Sequence, residues 1–126
     1  MSKYSEIAKK MFYDNIGKFE YYVFNNKNYD EKQMREFIES LDFDIYCEEV
    51  IVEFVNIGLE QSSTLEEVSE KNLNRRELIL HFISLVVALY AANHKNTVSD
   101  DFKELADEIC KSTMFMILTT KILFGR

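Results

Sequence analysis

Not one proline interrupts the 126 residues of this chain, and glycine occurs only three times. Proline breaks helices and glycine loosens them, so a chain almost without either is confined to long helices joined by short polar links. Capping chemistry places the helix starts. Ser2 opens a first helix to about Phe24, which the Asn-rich NNKN closes, and Asp30 opens a second. Thr64 with Glu67 makes a capping box for a short helix, and Asn74 with Glu77 makes another ahead of the most apolar stretch. Thr97 or Ser99 opens the last helix, with Asp100 and Asp101 in the first turn where the helix dipole favours negative charge. The expected fold class is all-α, with residues 1–126 forming a single-domain bundle of five to six helices. Ten Phe and seven Tyr are ample for its core.

One stretch needs arbitration. DFDIYCEEVIVEFVNIGLE, Asp42 to Glu60, is rich in β-branched residues that favour strand. A strand would place its polar residues at alternate positions. Instead Asp42, Glu49, Glu53, Asn56 and Glu60 recur at spacings of 7, 4, 3 and 4, which is one narrow line on a helix. Helix is therefore predicted, with one acidic edge. The apolar line of the preceding helix, Met34, Phe37, Ile38 and Leu41, falls out of phase with this acidic line, so a break or kink is expected between Leu41 and Phe43.

Charge is distributed unevenly. Residues 1–41 hold seven bases and seven acids, and residues 71–126 hold eight bases and six acids. Residues 42–70 hold nine acids and no base, more than the whole net charge of −7. Asp44–Glu48, Glu49–Glu53 and Glu66–Glu70 are like-charge pairs four apart, each costing a few tenths of a kcal/mol on a helix (about 1 kcal/mol together). Direct nucleic-acid binding, which needs clustered Lys and Arg, is disfavoured, whereas a basic protein surface is a favoured partner. Asp42, Glu49, Glu53 and Glu60 are the candidate partner-binding face.

Two further lines suit protein contacts. On the last helix Phe102, Leu105, Ala106, Ile109 and Thr113 make a core face opposite Asp101, Glu104, Glu108 and Lys111. The outer line then turns apolar at Phe115, Leu118 and Ile122, in a segment apolar nearly all round, which suits burial against a second copy of the chain. A homo-oligomer, with a dimer favoured, is expected through these three residues. On the first helix the core face is Ile7, Ala8, Met11, Phe12, Ile16, Phe19 and Val23, and the opposite line of Tyr13, Gly17, Tyr21 and Phe24 is a second candidate interface.

Other classes are excluded or reduced. The first residues carry both charge signs, unlike a signal peptide, and the nearly apolar run Leu78–Ala92 is 15 residues, short of the roughly 18 to 20 that span a bilayer. A cytoplasmic protein without membrane association is expected, and Cys47 and Cys110 are expected as reduced, buried groups. The two His and two Cys share no ligand spacing and no Gly-rich loop is present, so neither metal nor cofactor is expected. SDDFKELADE could hold a cation, though acids in a helix's first turns are dipole complements. Plentiful Asn, Lys, Ile, Phe and Tyr without Trp suit an AT-rich coding sequence, as in a low-GC bacterium or a phage or other mobile element.

RRELILH, Arg75 to His81, resembles the Arg-(four to six residues)-His motif of the HEPN ribonucleases, a small, all-α, often dimeric family. The resemblance covers seven residues plus helical class, and it implies metal-independent RNA cleavage with Arg75 or Arg76 and His81 meeting across a dimer. It departs from the family pattern in having Arg after Arg, and in a regular helix neither Arg shares a face with His81. A core His81 bonded to a carbonyl is the competing reading. The function expected first is therefore non-enzymatic: an acidic helical interaction protein that blocks a basic surface, of the immunity-protein or phage-inhibitor type, occluding for example a nucleic-acid-binding site. A purely structural subunit of a homo-oligomeric assembly is a third possibility.

Overall fold

A computed structural model describes the backbone of residues 3–25, 31–64 and 70–124, and within these all side chains except those of 24–25, 31, 44, 70–73 and 115–124. Five α-helices and one short 3-10 turn account for nearly all of it: α1 Lys3–Asn25, α2 Glu31–Ser40, the turn Phe43–Ile45, α3 Glu48–Ser63, α4 Glu70–Asn93 and α5 Asp100–Phe124. The protein is an all-α, single-domain bundle, with no strand among the described residues.

α4 is the axis. It packs against α5, α3, α2 and α1, and α1 also packs against α3. Its nearly unbroken run of buried residues, from Leu78 through Val87 and again at Tyr90, follows from that position, because a helix surrounded by helices has no wet face. Over Asn74–Asn93 it is also long and apolar enough to cross a membrane by length and composition, a longer window than Leu78–Ala92 alone, and 56% of that window is buried within the bundle. Phe82 is the hub. Its ring lies 5.2 Å from Phe19, 5.4 Å from Phe54, 6.1 Å from Phe12 and 6.1 Å from Phe43, all tilted or edge-on as aromatic quadrupoles prefer.

The expected core faces of α1 and α5 are the observed ones. Ala8, Met11, Phe12, Ile16 and Phe19 are buried, as are Phe102, Ala106, Ile109 and Thr113, with Ile7, Val23 and Leu105 packed at the margin. Thr113 resolves the polarity of its buried site by donating from Oγ1 to the carbonyls of Leu80 (3.1 Å) and Ile109 (3.0 Å), which pins α5 to α4. Ser99 is the N-cap of α5: its Oγ accepts from the Phe102 N–H at 3.1 Å.

Two helix starts differ from those predicted. The break after Leu41 is present, but it extends further than the periodicity implied. Asp42 adopts a left-handed conformation (φ 58°, ψ 47°), a turn and a 3-10 segment follow, and α3 begins only at Glu48, after Cys47 in extended conformation. A left-handed residue ends a helix because it reverses the chain, and Asp is among the few non-glycine residues that tolerate it. Asp44 and Glu48 therefore do not share a helix. Secondly, α4 starts at Glu70, a full turn before Asn74, because the helix formers of EKNL extend the helix past the local cap signal. Thr64 closes the end of α3, its N–H bonding to the Glu60 carbonyl and its hydroxyl to that of Gln61, and the short helix expected after it lies outside the described residues. Ser2, Asp30 and Glu67 lie outside the described residues.

Candidate functional site

The acidic segment is divided by the fold. α3 buries Val50, Ile51, Phe54, Val55 and Gly58 between α1 and α4. This leaves Glu49, Asn56 and Glu60 exposed along its outer edge. The other two glutamates of α3's first turns are engaged in structure. Glu53 is half-buried and accepts from Ser5 Oγ of α1 at 3.1 Å. Glu48 accepts from the Ser99 N–H at 2.7 Å and from Ser99 Oγ at 3.2 Å, tying the start of α3 to the start of α5. One hydroxyl thus donates to Glu48 and accepts from Phe102. Two exposed apolar side chains, Ile45 and Leu59, flank the exposed acids in sequence.

Asp42 does not belong to this edge. It precedes α3 and lies with Glu39 at a cavity of about 260 Å³ between the end of α2 and the end of α4. Sequence periodicity missed this, because it began the acidic line of the helix at Asp42, a left-handed residue that precedes α3 by six positions.

The arginines and histidine of the RNase-like motif do not converge within the chain. Arg75 pairs with Glu20 of α1, and Arg76 donates from Nε to the Ser62 carbonyl at 3.1 Å, closing the end of α3. His81 is half-buried, not a sealed core group, and lines a second cavity of about 260 Å³ with Met34, Arg35, Cys110 and Met114, on the α2–α5 side of α4.

Cys110, at the edge of that cavity, and Cys47, in the link before α3, are both exposed and in no disulfide, contrary to their expected burial. Cys47 stands in no helix, and Cys110 is one position past the α5 core line, so neither is carried inward. On α1 the outer line is open: Tyr13 is 54% and Tyr21 71% exposed, and nothing lies within 4 Å of a Cβ built at Gly17. Phe24, Phe115, Leu118 and Ile122 have side chains outside the described residues. The last described residue of that α5 segment, Met114, is 60% exposed. Among the described residues no group of three or more His, Cys, Asp or Glu could hold a metal ion.

Comparison of this chain with family models, with curated proteins and with solved structures finds no match.

Proposed function

We propose that this is a non-enzymatic interaction protein that binds and occludes a basic surface on another protein, by steric and electrostatic blockade. The observation that carries the reading is the outer edge of α3. Glu49 and Glu60 face solvent in a segment, residues 42–70, that holds nine acids and no base. Carboxylates unopposed by local cations raise the encounter rate with a cationic partner, and exposed apolar neighbours such as Leu59 and Ile45 supply contact area. Such a protein would be cytoplasmic, and an immunity protein or phage inhibitor that covers a nucleic-acid-binding site is the type it resembles in charge and size. Self-association through the apolar end of α5 (Phe115, Leu118, Ile122) completes the proposal, and exposed Met114 one position before that stretch supports it.

The test is affinity capture from the source cell at low and high salt, followed by assay of the captured protein's own activity. A specific basic protein should be captured, inhibited, and lost both at high salt and with the Glu49→Gln/Glu60→Gln variant. Capture that is indifferent to salt and to the substitutions would show that water, not a partner, faces this edge. Light scattering on wild type and on Phe115→Lys/Leu118→Lys tests assembly, and a monomeric wild type would remove that part.

A further inference from the structure

We infer that the cavity between α2, α4 and α5 is a binding site for a soft univalent metal ion of the copper(I) class, held by Met34, His81, Cys110 and Met114. The site is independent of the blockade reading and needs no partner protein. The whole chain has five Met, two Cys and two His. Four of those nine line this one cavity of about 260 Å³, and they come from three different helices. Cys110 and Met114 are four apart on α5, so they project from one face a turn apart. That is the spacing by which two side chains of one helix share an ion. Met34 is supplied by α2 and His81 by α4.

The donor set selects the metal. Two thioethers, a thiol and an imidazole are soft or borderline ligands, the kind that favours copper(I), whereas calcium, magnesium and manganese need oxygen ligands. Among the described residues no carboxylate lines the cavity. Its two hydroxyls are engaged: Ser84 Oγ donates to the His81 carbonyl at 3.0 Å, and Thr113 Oγ1 to the carbonyls of Leu80 and Ile109. Charge points the same way. A metal-bound thiol is deprotonated, so Cys110 with a univalent ion is neutral and sits without penalty beside Arg35, which also lines the cavity. A divalent ion would leave a net positive charge next to that guanidinium. Met34 is buried and His81 half-buried, while Cys110 is exposed and Met114 is 60% exposed, so an ion reaches the inner donors without any helix moving. The flexible Met114 side chain can then swing its sulfur onto the ion.

The experiment is titration of the reduced protein, ¹³C-labelled at its methionine methyl groups, with silver(I) nitrate in chloride-free buffer, silver(I) being a redox-inert stand-in for copper(I). The first equivalent should shift the Met34 and Met114 methyl signals and leave that of buried Met11, which does not line the cavity, unmoved. Competition for copper(I) against bicinchoninate then measures affinity. Met114→Leu and His81→Gln should each weaken it by about tenfold or more, since even changes behind the ligands cost roughly 10–100-fold. Met114 is exposed, so leucine there leaves the packing intact, and an unchanged Met11 signal verifies the fold. Cys47→Ser should leave the affinity for the first equivalent unchanged, because Cys47 does not line the cavity. Methyl signals that stay in place while a thiol takes up the ion would reduce the site to a lone cysteine and overturn the assignment. Met114→Leu binding as tightly as wild type, or zinc(II) competing on equal terms with copper(I), would overturn it as well.

Discussion

Gly58→Ala and Gly17→Ala are the same chemical change in two long helices, and the structure predicts opposite signs for them. In a helix interior alanine is favoured over glycine by roughly 0.8–1.0 kcal/mol. At Gly17 nothing lies within 4 Å of the added carbon, so most of that gain should appear as stability. At Gly58 the added carbon would sit 2.5 Å from Ile83 Cγ2, 3.3 Å from its Cδ1 and 3.5 Å from Phe12 Cε2. Carbon atoms rest at roughly 3.5–4.0 Å, so the first contact is about 1 Å too short. Ile83 is fully buried and Phe12 nearly so, and a β-branched side chain has little freedom to rotate away. Overpacking of this kind costs roughly 1–3 kcal/mol, and this site belongs in the upper half of that range. The net effect at Gly58 is a loss of about 1–2 kcal/mol, placing the two variants roughly 2–3 kcal/mol apart. Urea unfolding followed by far-ultraviolet circular dichroism would register this as a midpoint difference on the order of 1 M, with slopes unchanged. Ile83→Val keeps both γ-carbons and should not relieve the clash. Ile83→Ala should couple favourably with Gly58→Ala by more than about 1 kcal/mol. Two variants of equal stability would refute the close approach of α3 to α4.

Removing the shared hydroxyl with Ser99→Ala should lower stability by about 1 kcal/mol through loss of the α5 cap, seen as a lower melting temperature. Glu48→Gln should cost less than Ser99→Ala, since it leaves the bond to Phe102 intact and the site is exposed. Native protein should consume about two equivalents of a thiol reagent such as DTNB without denaturant, because both cysteines are exposed; slow reaction until unfolding would show instead that they are buried.

The absence of proline and scarcity of glycine determined the helical class, and local periodicity determined which side of α1 and α5 would turn inward. Both are properties of a few consecutive turns, so they are legible without knowing what lies opposite. The identity of α4 as the axis was half legible: its apolar run announced burial but not its neighbours. Where each acid of residues 42–70 points was decided by tertiary structure. One left-handed residue, Asp42, resets the phase of everything after it and removes itself from the acidic line. Long-range partners then take up Glu48, through Ser99, and Glu53, through Ser5. The crowding at Gly58 depends likewise on which helix happens to stand beside it. A spacing rule reports which residues share a face of one helix. Whether that face meets water, a neighbouring helix or another protein is a property of the assembled bundle.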